Sequence, residues 1–468
     1  MGQAEAPQIA LFVAEELGNS SFLVVDHDAG EAAVIDPLRD VEQYLSHAEG
    51  SHARVTYAME THVHNDFLSG ARELRQETGA RIVAGAGSGL RFEFDALNDG
   101  DAIRLGRCRL RARRTPGHTP DHVSYLLLDP DDRPRALFSG GALMVGTAAR
   151  TDLYGPQLAI PLAHEAFRTL HHRLKDLPDD VAVYPTHGGG SFCGAAGTDE
   201  RSTTMGRERL VNPLLQATEI MQFLARILDQ APYPEYYRRM APLNMAGAPL
   251  LGRRLPSLPS LRPVDVEGLM RNARAAVIDV RDPQEFDRGH IPGSYSVSLD
   301  GGSFSAWVGW IVEADRPVVL TGGDAVDRRE AQRQLLRIGH DAIAGELGGG
   351  IDAWHHSGRP ISRYEVAEID DLVEWIRAGR TLTVVDARDE PEWVHGHLPG
   401  AVHVPVPRAA ATAKDLAAEV PVAVHCASGF RAAIAASIFE QAGVGGLIHV
   451  HGGLGKGTPG GLPLTVPG

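Results

Sequence analysis

Three short histidine-bearing segments and one cysteine loop hold most of the reactive chemistry in this sequence. Thr61–Asp66 reads T-H-V-H-N-D after a strand-like run, Thr115–Thr119 reads T-P-G-H-T, and Tyr184–Gly190 reads Y-P-T-H-G-G-G. Each places a histidine in a loop after a strand, and loops anchored by strands can bring several imidazoles to one point. Imidazoles with a carboxylate suit zinc or iron. A single loop histidine is ordinarily just solvated. H-x-H-x-D followed in order by two more such loops is a stronger pattern, because chance seldom spaces three ligand types so closely. Far downstream, Val422–Ser437 reads as a strand, a tight loop and an Ala-rich helix, the loop being Cys426-Ala427-Ser428-Gly429-Phe430-Arg431. A short loop at a helix start turns backbone N–H groups inward and forms an anion site. The same groups favour thiolate over thiol at Cys426. Gly429 permits the tight turn and Arg431 can add positive charge. Such a nucleophile can accept a sulfane sulfur as a persulfide. The plainer reading, a buried inert cysteine at a strand end, fits C-x-x-G-x-R poorly.

The elements that must position these groups fall into blocks. The chain has 468 residues, 43% hydrophobic and 22% charged, a soluble globular profile. At roughly 150 residues per domain, about three domains are expected. A net charge of −15 argues against nucleic-acid binding. No window of about 18 apolar residues predicts a membrane span, and the start of the chain predicts no signal peptide. Three cysteines, Cys108, Cys193 and Cys426, make no disulfide framework and fit a reducing cytoplasm. Residues 1–215 read as short strands and turns with few helices. Phe22–Pro37 carries a hairpin signal, His164–Leu177 has helical spacing, and a helix from residue 207 is interrupted at Asn212-Pro213. Residues 216–261 read as a helical and Pro-rich linker. From there the chain repeats: Val277–Ser294 matches Val384–Ala401, with His397 lying 107 residues after His290 and Asp386 the same distance after Asp279. Strands alternating with helices predict parallel α/β sheets, and a period near 100 residues predicts two domains, 262–362 and 363–468.

Thr61–Gly70, Thr115–Tyr125, Leu137–Gly155 and the segments around His187 and Met205 together resemble the metallo-β-lactamase fold, and within it the persulfide dioxygenase branch. The resemblance implies an αβ/βα sandwich with metal at its loop edge. Binuclear hydrolases of that fold continue the first motif to H-x-H-x-D-H. Phe67 stands at the last place here, as expected of a mononuclear iron branch that oxidises a thiol persulfide with O₂ and water to sulfite and free thiol. By motif, His62 and His118 would hold one Fe(II) per chain. The family's third ligand is an aspartate, where this sequence has Gly141. Three outcomes are open there: water or another anion fills the place, His64 or Asp66 steps in, or the site is empty. The loss implies weakened or altered metal binding. Asp36 matches a supporting acid, Arg150 a residue near the thiol substrate (or a salt bridge to Asp152), and His187 a second-site position left an orphan. His122, His171 and His172 read as ordinary, Cys108 as structural, and Cys193 has no assigned role.

Val384–Ala401, the Cys426 loop and the closing His449–Leu454 resemble a rhodanese domain with Cys426 as sulfur carrier. A six-residue loop favours small sulfur donors over phosphoesters, which leaves a phosphatase as the runner-up. Aligning the repeats sets Gly322 opposite Cys426, and the loop Gly322–Asp327 carries two carboxylates and no thiol. The first copy therefore reads as inactive, with a structural or docking role. Asp279, Arg281 and His290, like Asp386, Arg388 and His397, read as a buried polar network. The fold class is α/β multidomain: a metallo-β-lactamase sandwich plus two rhodanese-like parallel α/β domains. The implied function is persulfide oxidation to sulfite coupled to sulfane-sulfur transfer through Cys426. The partners would be a small thiol persulfide (glutathione or coenzyme A type), O₂, sulfite and thiosulfate, with a homo-oligomer left open. Two alternatives stand: a sulfurtransferase with a metal-depleted first domain, and a thioester hydrolase of the glyoxalase II type.

Overall fold

The computed structural model describes residues 7–194, 198–416, 420–454 and 463–466. They form two compact units, residues 1–256 with Leu336–Gly339, and residues 257–335 with 340–468. Among the described residues no helix is long and apolar enough to cross a membrane.

The first unit is built on two six-stranded sheets. One runs in chain order from Gln8–Ala14 through Asn19–Asp26, Glu31–Ile35, Arg54–Met59 and Arg81–Gly85 to Asp95–Leu97. The other is ordered Thr203–Thr204, Ala182–Pro185, Pro134–Gly140, Val123–Leu128, Cys108–Arg114, Ala102–Leu105. Alternation along Cys108–Arg114, with every second side chain buried at its start, turns one face inward, as the period of two requires. Between the sheets lie Phe22, Val24, Ile35 and Met59 from one and Leu110, Tyr125, Leu127 and Phe138 from the other. The outer face of the first sheet packs on helices Glu42–Gly50 and Ala71–Thr78 through Tyr44, Leu45 and Leu74. The outer face of the second packs on Pro156–Arg168 and Ile220–Ile227 through Ala163, Phe223 and Ile227. The result is helix, sheet, sheet, helix, the αβ/βα sandwich expected.

Residues beyond 215 contribute to this unit. Besides Ile220–Ile227, the helix Tyr237–Ala246 buries Tyr237 and Met240 against Phe67, Met144 and Cys193. The predicted interruption at Asn212-Pro213 is present: helix Met205–Val211 stops, and the Asn212 side chain caps the next turn by accepting from Leu214 N–H, the favoured N-cap role. The predicted hairpin pairs Asn19–Asp26 antiparallel with Glu31–Ile35.

The second unit holds two five-stranded, all-parallel sheets. Their orders are Ser260–Leu261, Ile343–Leu347, Val318–Thr321, Ala276–Asp279, Tyr295–Ser296 and Glu365–Glu368, Leu447–Gly453, Val422–Cys426, Thr383–Asp386, Val402–His403. The repeat read from sequence recurs in the polar network. Arg281 grips Asp279 through Nε and Nη2 and donates to Gly289 O at 2.9 Å. Arg388 does the same to Asp386 and to Gly396 O at 2.8 Å. His290 stacks on Phe286 at 3.8 Å and His397 on Trp393 at 3.4 Å. These residues brace the turn after the first long strand of each copy.

Candidate metal centre and cysteine loop

In the first unit, strands Arg54–Met59, Cys108–Arg114, Pro134–Gly140 and Ala182–Pro185 run into the loops bearing His62 and His64, His118, Gly141 and His187. All four histidines are buried. Their ring centroids lie close: His62 is 4.8 Å from His118 and 5.3 Å from His187, and His118 is 5.2 Å from His187.

Hydrogen bonds behind the rings fix their tautomers. The Thr61 hydroxyl donates to Asp36, so its oxygen accepts from His62 Nδ1–H at 2.8 Å. His118 Nδ1–H donates to the Arg150 carbonyl at 2.7 Å. Asn19 gives its amide hydrogen to Asp66, and its carbonyl accepts from His187 Nδ1–H at 3.0 Å. With Nδ1 engaged from behind, the lone pair of each imidazole's neutral form falls on the other nitrogen, Nε2. His62 Nε2 and His187 Nε2 face one another at 3.3 Å, and buried His118 Nε2 has no hydrogen-bond partner among the described residues. Burial, followed by the neighbouring rings, pushes His62 well below the usual imidazole range. Burial and then His187 push His118 down to about 3. Neutral imidazoles with back-bonded Nδ1–H and clustered lone pairs are what a metal needs.

His64 is held differently. Its Nε2 lies 3.2 Å from Asp36 and 3.0 Å from Glu60. Burial alone would lower it, but these carboxylates push it up to about 10. His64 Nδ1 and Asp66 Oδ1 are buried without a hydrogen-bond partner among the described residues. Ligand atoms of His62, His64 and His187 lie within 4.8 Å of one another, as do those of His118, His187 and Cys193. The donor set therefore fits a metal ion despite Gly141: His187 is common to both groups, with His62 in one and His118 in the other. Phe67 stacks on His64 at 4.2 Å, putting a phenyl ring at the motif place where hydrolases carry a further histidine.

Four residues from the sequence reading take other places in the structure. The Arg150 guanidinium is buried and bound to Asp152 at 2.6 and 2.7 Å, with further donation to Ala231 O. Its salt bridge is the role the structure displays, and its backbone carbonyl orients His118. His122, read as ordinary, belongs to the cluster: it stacks on His62 at 5.0 Å, and its Nε2 accepts from Gly141 N–H at 3.0 Å. It holds the backbone at the missing aspartate. His187, read as an orphan, and Cys193 join the donor set. Their loops, Y-P-T-H and S-F-C-G, carried that signal, but only the fold shows where they converge.

In the second unit, the strand Val422–Cys426 ends at the loop and helix Phe430–Gln441 begins beyond it. Gly429 has φ +97°, a left-handed conformation suited to glycine, and its N–H donates to Cys426 Sγ at 3.1 Å. Arg431, in the first turn of that helix, is met by carboxylates. It pairs with Asp389 at 2.6 Å and with both oxygens of Glu392, and so anchors the helix start to the loop after Asp386. In the first copy the equivalent loop fills its own anion site. Asp327 accepts from Asp324 N–H, and Asp324 accepts from Val326 and Asp327 N–H.

The chain belongs to the metallo-β-lactamase superfamily, whose family model matches residues 14–187, and carries two rhodanese-like domains, matched at 263–357 and 368–457. It is similar to the mitochondrial persulfide dioxygenase ETHE1 of Homo sapiens, 29% identical over 231 residues, 48% of this chain and 82% of that protein. A hydroxyacylglutathione hydrolase of a Methylobacterium species is 31% identical over 252 residues, 48% of this chain and 92% of its own. A crystal structure of a metallo-beta-lactamase from Staphylococcus aureus subsp. aureus COL superposes with a TM-score of 0.66 at 29% identity, covering 73% of this chain and 99% of that one.

Proposed function

We propose that the first unit oxidises a small thiol persulfide to sulfite and that Cys426 carries sulfane sulfur in the same pathway. The carrying observation is a buried set of three imidazoles, His62, His118 and His187, each with Nδ1 hydrogen-bonded from behind and with ring centroids 4.8–5.3 Å apart. Imidazole donors suit Fe(II), and one iron held by His62, His118 and His187 would supply the O₂ chemistry. The chain's own residues do the rest. Thr61, the Arg150 carbonyl and Asn19 keep the rings in the ligating tautomer, Asp36 and Glu60 hold His64, and burial excludes bulk water. The persulfide's outer sulfur gives four electrons to O₂ and leaves as sulfite, two of whose oxygens come from O₂ and one from a water, while the thiol and two protons are released. The substrate we propose is a small thiol persulfide, of glutathione or coenzyme A type.

At Cys426, a thiolate would take sulfane sulfur from a donor such as thiosulfate, releasing sulfite, with the Gly429 N–H set against the sulfur. The intact protein given a thiol persulfide should consume O₂ and release sulfite. Cys426→Ser should abolish sulfur transfer and leave O₂ uptake unchanged, measured by oxygen electrode and thiosulfate assay. Loss of both would overturn this division of labour. A second reading, thioester hydrolysis, is favoured by the 31% identical hydrolase. Hydrolysis of an acylated thiol without O₂ uptake would establish it. Sulfur transfer with neither activity would establish a sulfurtransferase alone.

A further inference from the structure

The inactive rhodanese copy reaches into the working one. Asp287, on helix Pro283–Arg288 of the first copy, is buried. Its Oδ2 accepts from His449 at 2.8 Å and from His451 at 2.6 Å. Both histidines lie on strand Leu447–Gly453 beside the Cys426 strand. His449 turns its second nitrogen, Nε2, to the Gly429 carbonyl at 2.9 Å. It thereby ties the cysteine loop to the first copy. His451 differs, because its Nε2 is the nitrogen at the carboxylate. With Nε2–H donating there, the neutral form of the ring carries its lone pair on Nδ1. His451 is 13% exposed, and it lines a pocket of about 210 Å³ with Ser428, Gly429 and Phe430 from the loop and Asp300 from the first copy.

A metal among Asp287, His449 and His451 is disfavoured by distance. Ligands about 2.0–2.1 Å from one tetrahedral ion stand farther apart than these hydrogen-bonded contacts. A carboxylate-oriented imidazole at the mouth of a nucleophile loop has the geometry of a general base instead.

We propose that His451, oriented by Asp287 of the inactive copy, is the base that activates a thiol accepting sulfur from Cys426. This rests on Cys426 being the sulfur carrier. The incoming thiol gives its proton to His451 Nδ1, and the resulting thiolate attacks the outer sulfur of the Cys426 persulfide. The new sulfur–sulfur bond forms as the bond to Cys426 Sγ breaks. The electron pair leaves on Sγ as thiolate beside the Gly429 N–H, and the sulfane sulfur passes without net oxidation. His451 then returns its proton to the product persulfide or to solvent. Sulfite as acceptor is already an anion and needs no such base.

The test uses the full chain, with Cys426 first loaded from thiosulfate and the added sulfur confirmed by intact mass. His451→Gln should load normally, transfer to an alkyl thiol about 100-fold more slowly, and transfer to sulfite at the wild-type rate. A strongly acidic aromatic thiol, already ionised, should restore much of the lost rate. Asp287→Asn should show a smaller loss of the same pattern, and His451→Gln, at the pocket surface, serves if the buried variant does not fold. Equal rates for wild type and His451→Gln with the alkyl thiol would overturn the proposal, as would equal slowing with sulfite. Failure of the wild type to load would instead reject Cys426 as the carrier.

Discussion

Gly141 shows why a missing ligand is not simply a gap. A Cβ built there would lie 2.6 Å from His118 Cδ2 and 2.9 Å from Ala149 Cβ, so the space for a side chain has closed. Gly141→Asp should therefore cost about 1–3 kcal/mol through overpacking, read as a lower melting temperature, and should not raise iron content. Pairing it with Ala149→Gly should recover part of the stability. A stable Gly141→Asp with more iron would show that the place is vacant after all. Asp386 bears on acid stability. Burial raises its carboxyl, but Arg388 and His425 outweigh this and hold it below its ordinary value. A folded value below the unfolded one gives stability that is full above the ordinary aspartate value of about 3.9, and that fades as pH falls through the folded value. Asp386→Asn should lose stability at neutral pH and flatten the acid limb of the melting curve. An unchanged acid limb would contradict this. At this scale the sequence marked His62, His64, His118 and Cys426 because their motifs are local. It placed His122 and His187 outside the working set because their roles depend on approach across the fold. Arg150 was placed by resemblance and Arg431 by its charge; Asp152 meets the first, and Asp389 and Glu392 meet the second.

Helix Tyr237–Ala246 carries a function that its place in a Pro-rich stretch concealed. Asn244 donates to His64 O at 2.9 Å and to Phe67 O at 2.8 Å, and accepts from Ser69 N–H at 2.9 Å. It thus splints the H-x-H-x-D loop from behind. Asn244→Ala should strand these buried groups, lowering stability by about 1–3 kcal/mol and loosening metal binding about 10–100-fold, measured by denaturant unfolding and by chelator competition. Wild-type metal affinity in this variant would show that the loop holds itself. Pro232, Pro234, Pro242, Pro249 and Pro256 break the apolar periodicity of the segment, and so hid this helix. By contrast, the strand–loop–helix order of both rhodanese copies was legible, because apolar runs buried on both faces alternate with helical spacing.

On the scale of the whole molecule, the chain joins a metallo-β-lactamase fold to a repeated α/β fold, and the repeat was readable from paired motifs 107 residues apart. What could not be read was that unit boundaries do not follow chain order. Leu336–Gly339 belongs with the first unit, where Arg337 pairs with Glu16 and Asp40 at 2.7 Å. Nor could the motifs show that Asp287 of the first copy binds His449 and His451 beside the Cys426 strand of the second. Three imidazoles sharing one metal in an intact chain are the central claim. Its most direct test is the iron content and iron–ligand X-ray absorption of the full protein, compared with His187→Ala. About one iron per chain, bound mainly by imidazole nitrogen and largely lost in the variant, is the predicted result. A metal-free wild type, or a His187→Ala protein that keeps its iron, would contradict it.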